Sequence, residues 1–190
     1  MGYKKSVILL FLFFINSCGS YSFKGSLPDG VNSIAISPII NNTSEYALTN
    51  SLNDNLNKEL INQNILDIVD IYNSDTSLEL TVLSVKDNSN IYITNENLYE
   101  TVQQWKLSVR VKINWYNINS NLVIIDKDIE EWALYNNSGI DISADGIDND
   151  SDGLIDSKDS DEYGSAREAA LRITSQKIIN RIINELISNW

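Results

Sequence analysis

From residue 104 to residue 115 apolar and polar side chains alternate without a break. Trp105, Leu107, Val109, Val111, Ile113 and Trp115 fall on one side, and Gln104, Lys106, Ser108, Arg110, Lys112 and Asn114 on the other. Strand side chains repeat with period two, so this run predicts a long antiparallel strand with one buried and one wet face. Residues 117–121 predict a hairpin turn into a partner strand over 122–134. A second period lies upstream. Leu48, Leu52, Leu56 and Leu60 recur every four residues with polar side chains between them, which predicts one face of an amphipathic helix over roughly 46–62. Asn41, Asn42, Thr43 and Ser44 stand ahead of it as N-cap candidates.

The remaining pattern completes an α+β chain. Residues 19–33 read as an extended lead-in with a turn at Pro28, Asp29 and Gly30. Residues 34–39 read as a short strand with Pro38 near its end, and 65–69, 77–86 and 91–94 as further strands. Asp87, Asn88, Ser89 and Asn90 are expected to separate the last two. Ser165 and Glu168 have the spacing of a capping box. The helix they open carries Ile178, Ile179, Ile182, Ile183, Leu186 and Ile187 on its apolar face. Strand, helix, several strands, helix predicts a two-layer sandwich, with two helices packed on one side of a mostly antiparallel, mixed sheet.

The first residues address the compartment. Lys4 and Lys5 precede an apolar run over 7–15, and Asn16 and Ser17 lead to Cys18. This is the order of a secretory signal peptide. The run is shorter than the roughly 20 apolar residues a spanning helix needs. Ile15, Ser17 and Cys18 resemble the lipobox of bacterial lipoproteins. Cys18 is the only cysteine, and acylation accounts for a thiol with no disulfide partner. Cleavage after residue 17 would leave a domain over 18–190, held to a membrane by a covalent N-acyl diacylglyceryl lipid on Cys18. Gly19 and Ser20 follow, and the absence of Asp at the second position resembles the outer-membrane sorting signal.

Charge and composition narrow the chemistry. The net charge is −12, and it becomes −14 once the signal removes two lysines and no acid. So acidic a chain is a poor general binder of nucleic acid, and any anion must meet a local basic cluster. There is no histidine, which excludes Ser-His-Asp and Cys-His catalysis and the usual zinc sites. No glycine-rich phosphate loop and no carboxylate-hydrolase motif appears.

Taken together, the order of these parts resembles a family. Cys18, Gly19, Tyr21 and Phe23 at the mature start, the strand from Ser33 to Pro38, Asn42 and Thr43 before the Leu-spaced helix, and the long alternating strand are similar to the LPS-assembly lipoproteins, LptE. Asn189 and Trp190 after an Ile-rich helix look like one branch of that family. The resemblance implies a non-enzymatic outer-membrane lipoprotein. It would sit on the periplasmic side or within the lumen of an LptD-type β-barrel translocon, plug and help assemble that barrel, and assist lipopolysaccharide insertion.

Two constellations stand beside the resemblance. Lys106, Arg110 and Lys112 share the wet face of the long strand. They are candidates to contact lipopolysaccharide phosphates or acidic residues of a barrel wall; equally, they can pair across to Asp126, Asp128 and Glu130 on the neighbouring strand. Second, residues 136–163 form an acidic insertion outside the family pattern. Asp148, Asp150, Asp152, Asp156 and Asp159 fall at loop positions 1, 3, 5, 9 and 12 of a calcium loop. Gly153 takes the sharp turn at position 6, and Leu154 offers its carbonyl. Asp at position 12 is shorter than the usual bidentate Glu, so the likeness is to repeat-type calcium loops. A structural calcium ion is the expected ligand, against the bland reading of a solvated acidic loop. From Asp141 to Glu162 the insertion has a net charge of −8, leaving −6 for the rest of the chain after the signal is removed. It also opens an alternative function, a calcium-dependent envelope or surface binding lipoprotein on a similar scaffold.

Overall fold

The computed structural model describes residues 27–94, 100–136, 141–149, 153–155, 158 and 163–188. Six strands and two long helices make up the described fold: β1 (Ser33–Ile36), β2 (Ile40–Asn41), α1 (Tyr46–Gln63), β3 (Asp67–Ile68), β4 (Thr76–Thr94), β5 (Glu100–Asn117), β6 (Leu122–Asn136) and α2 (Ala166–Ser188). The strands form one mixed sheet in the order β3-β1-β4-β5-β6, with β2 also pairing with β4. The contacts from β1 to β3 and β4, and from β2 to β4, are parallel; β4, β5 and β6 form an antiparallel meander. Both helices cover one face, and the α+β sandwich expected from the pattern is the fold observed.

The core follows the periodicities. Leu48, Leu52, Leu56 and Leu60 of α1 are buried, as are Leu107, Val109, Val111, Ile113 and Trp115 of β5. Pairing lines Ile36, Leu78, Trp115 and Ile125 across four strands in one row beneath the helices. Ile178, Ile179, Ile182, Ile183 and Leu186 close the core from α2, with Ile187 packed at its margin. Each such side chain contributes about 1.5–3 kcal/mol by leaving water.

Local chemistry sets the ends of these elements. Val31 N–H donates to the Pro28 carbonyl (3.1 Å) and Gly30 has φ +79, the turn expected there. The cap of α1 differs from expectation. Glu45 is its N-cap and makes no side-chain cap bond. Asn41 serves the entry instead: its amide donates to the Glu45 carbonyl (3.0 Å) and Thr49 Oγ1 (3.0 Å), and its carbonyl accepts from Thr43 N–H (2.9 Å). Asn64 ends the helix in the left-handed region with φ 48. Ser165 Oγ donates to Glu168 Oε2 (2.6 Å), so the two residues of the capping-box spacing meet side chain to side chain.

One boundary moves. Asp87, Asn88, Ser89 and Asn90 lie inside β4, not between two strands, and β4 runs 19 residues. Asp87, Asn88 and Ser89 pair with Leu107, Lys106 and Trp105. The poor strand propensity of Asp and Asn is overridden by a full ladder on the neighbour. Register shifts next to Ser89 and Ile91 absorb the misfit as bulges.

Candidate functional site

The face of the sheet away from the helices carries the polar positions of β4, β5 and β6. Alternation places Lys106, Ser108, Arg110 and Lys112 there from β5, opposite Leu134, Trp132, Glu130 and Asp128 of β6. The three basic residues therefore do share one face. The nearest acids answer two of them on the diagonal. Arg110 Nε lies 3.5 Å from Asp128, and Lys112 Nζ lies 2.9 Å from Asp126. The hydrogen bond from Asp126 holds the Lys112 ammonium above its usual pKa, with the Asp126 and Asp128 charges adding to it against slight desolvation. These side chains are about half exposed, so the pairs are screened and contribute little to stability. The stripe is thus locally neutralised, as the cross-strand alternative anticipated.

Lys106 behaves differently. Its ammonium sits 4.5 Å from the centroid of the Trp132 ring, in reach of the ring's negative face. Among the described residues no carboxylate lies within ion-pair distance of it. Lys177 of α2 reaches the same ring at 5.2 Å and donates to the Trp132 carbonyl (3.3 Å) across the outer edge of β6. Trp132 was not singled out from the sequence, although an indole on the wet register of β6 was a signal in plain view.

The acidic insertion is tied at its neck. Asp141 Oδ1 accepts from the N–H groups of Ser143 and Gly164 (3.0 Å each), and Asp141 bridges to Ser165. Those N–H groups, Ser143 first, hold the Asp141 carboxyl below the usual range. Buried Asn149 then clips the insertion to β6. Its carbonyl accepts from Leu134 N–H (3.1 Å), and its amide donates to the Leu134 carbonyl (2.9 Å). Of the calcium-loop positions named above, Asp148, Gly153 and Leu154 are described. Asp148 Oδ2 accepts from Gly153 N–H (3.0 Å), and Gly153 has φ +94, so positions 1 and 6 meet across a sharp turn. Asp150, Asp152, Asp156 and Asp159 lie outside the described residues, as do Cys18 and Trp190.

A further polar cluster joins all the layers near the start of α2. Arg167 donates to Glu45 Oε1 (2.6 Å) ahead of α1 and to Asp87 Oδ2 of β4 through Nη2 (2.9 Å) and Nε (3.1 Å). Tyr135 of β6 donates its hydroxyl to Asp87 Oδ1 (2.8 Å). Burial, then this bond and the Asp87 charge, push the Tyr135 phenol up to about 12. The cluster fixes both helices to the sheet, and its members are too far apart in sequence for any spacing to have linked them.

No curated protein sequence matches the chain. Among solved structures, the hypothetical protein CT253 from Chlamydia trachomatis superposes with a TM-score of 0.52 at 11% identity, covering 84% of this chain and 99% of that one. The rare lipoprotein B from Shewanella oneidensis gives a TM-score of 0.46 at 15% identity, over 80% of this chain and 92% of that one. The first of these likenesses concerns the fold alone. At the level of the family, the LptE description, lipopolysaccharide-assembly, matches residues 31–186. That span runs from the strand before α1 to the last buried turn of α2, and the chain belongs to the LptE lipopolysaccharide-assembly family.

Proposed function

We propose that this chain is an outer-membrane lipoprotein, anchored through Cys18, that occupies the lumen of an LptD-type β-barrel, helps assemble it, and assists delivery of lipopolysaccharide. The observation carrying this reading is the family match across residues 31–186, and the architecture suits it. A helix layer backs a sheet whose other face is polar and internally ion-paired, a surface suited to a water-lined lumen. The reading assigns no catalytic residue. Lys106, Arg110 and Lys112 are its candidates for lipid A or core phosphates. Among the described residues Lys106 has no carboxylate to displace, and the exposed Arg110 and Lys112 pairs can open at small cost when a phosphate arrives. Depletion of the protein should lower surface lipopolysaccharide, and the protein should co-purify with a large barrel. Normal surface lipopolysaccharide after depletion would end the proposal. Charge reversal at Arg110 and Lys112 should weaken lipopolysaccharide binding; unchanged binding by a folded variant would remove the stripe from it.

The insertion carries a second, separable reading, a structural calcium loop built on Asp148, Asp150, Asp152, Leu154, Asp156 and Asp159. The contact between Asp148 and Gly153 N–H supports it, since that bond draws the first and sixth positions together as an oxygen cage requires. Calcium would stiffen the segment that Asn149 clips to β6. Calorimetric titration with calcium should show binding that Asp150→Ala abolishes. No heat with the parent protein would remove the ion from the account.

A further inference from the structure

The sheet has a short parallel edge that ends early. Ser37 N–H donates to the Leu78 carbonyl (3.0 Å), so Ala35 and Ser37 turn their backbone groups toward β4. By the alternation of a strand, Ile36 turns its N–H and C=O to the other side. There the β3 segment serves only Asn32 and Ile34: Asp67 N–H donates to the Asn32 carbonyl (2.9 Å), and the last contact is Val69 N–H to the Ile34 carbonyl (3.1 Å). The chain then turns away through Asp70 and Asn73. Ile36 is left with a donor and an acceptor facing a groove, and no backbone partner on that side among the described residues. The next residue but one is Pro38, which has no N–H to pair. Across the groove stands the flank of α1 bearing Thr49, Asn50, Asn53 and Asn57. The space between is 470 Å³, within the size range of ligand clefts.

Its chemistry is unusual for this chain. The net charge is −12, yet among the described residues none that lines the groove is ionisable. The floor is apolar, from Ile36, Pro38, Ile68 and Val69. The rim is amide. Asn57 donates back to the Asn53 carbonyl (2.8 Å), while the Asn50 side chain has no protein partner among the described residues.

We infer that this groove receives an extended, uncharged segment of a protein partner, which adds as a strand beside Ile36 under the amides of α1. A strand edge is a template for another backbone, and Ile36 can exchange two hydrogen bonds with one residue of the incoming chain. Side-chain amides opposite can meet the outer N–H and C=O groups of that chain, being donors and acceptors at once. Neutral walls match a neutral occupant, because a charge buried here would find no counter-charge. A phosphorylated glycolipid is therefore disfavoured, and a neutral sugar would find no ring to stack on. The inference deepens the proposed function and rests on it, since the barrel is then the partner that supplies the segment.

The test uses the lipidated chain co-purified with its barrel, with hydrogen exchange followed at the Ile36 amide. Exchange there should slow by at least about tenfold in the complex, as an open edge becomes a paired strand. A photoreactive benzoylphenylalanine in place of Asn53 should cross-link to a peptide of the barrel. Asn53→Asp should lower recovery of the complex by about tenfold, and Asn53→Gln should leave it near normal. A complex that forms with Ile36 exchange unchanged, or with the cross-link on a glycan, a second copy or residues 18–26, overturns the docking site and leaves the barrel reading standing. Absence of any barrel complex overturns both.

Discussion

Arg167→Met would test whether the four-residue cluster ties the helix layer to the sheet. Methionine keeps most of the stem and removes the guanidinium, which donates to Glu45 at 2.6 Å and twice to Asp87. A hydrogen bond to a charged group is worth about 1.5–3 kcal/mol when well shielded, and an exposed pair only about 0–1 kcal/mol. Here the Arg167 side chain is 40% exposed, with Glu45 and Asp87 at 26% and 28%, which places the total toward the lower figures. Asp87 also keeps the Tyr135 hydroxyl. The variant should therefore lose about 2 kcal/mol, or about 4–8 °C in melting temperature for a domain of this size. Urea unfolding of the full chain in detergent measures the loss. A double-mutant cycle with Asp87→Asn should show a coupling of about 1 kcal/mol. A loss below about 0.5 kcal/mol, or no coupling, would mean that the cluster is a surface decoration and that packing alone sets the helix positions.

Three further outcomes follow from the same structure. The Tyr135 phenol titrates near 12 against about 10 in the unfolded chain. The stability it adds is present below pH 10 and lost as pH rises toward 12, at up to about 1.4 kcal/mol per unit; Tyr135→Phe should flatten that part of the pH profile, and an unchanged slope would contradict it. Asp75 Oδ2 accepts from the N–H groups of Asn32 and Ser33 (3.0 Å each) and from the Ser33 hydroxyl (2.8 Å), and these bonds, Asn32 first, hold its carboxyl below the usual range. Asp75→Ala should cost about 1–3 kcal/mol at pH 7 in a denaturation assay, and the difference should shrink as acid protonates Asp75 in the parent. Asn149→Ala should leave global stability within about 1 kcal/mol while speeding exchange of the Leu134 amide, because the clip on β6 loses its side-chain arm; equal exchange in parent and variant would show that the backbone bond suffices.

Much of the fold was legible because the burial periods are clean. The Leu ladder of α1 and the alternation of β5 each admit one reading, and every residue they nominated for the core is buried except Trp105, which packs at its margin. Asp87 to Asn90 misled because local propensity argues for a turn, while the long β5 ladder, a tertiary fact, holds them in a strand. The basic stripe was legible as a face. Its neutralisation by Asp126 and Asp128 could also be read, since both sit at even positions of the partner strand. The groove beside Ile36 could not, because it exists only where β3 stops after two residues, and no composition signal marks that stop. Arg167 and Asn149 were likewise hidden, as their partners lie 80 and 15 positions away.

The place of β1 in the sheet also sets a timetable. β4, β5 and β6 are consecutive and antiparallel, so they can zip together through hairpins as soon as each emerges. β1 is made first, yet its parallel partner on β4 begins at Thr76, some 40 residues later. If the chain is exported as proposed, the first strand stays apolar and without its β4 neighbour until that stretch of β4 has crossed the membrane. A periplasmic chaperone would find its binding window in that interval, and it would close when Ile34, Ala35 and Ile36 finally dock.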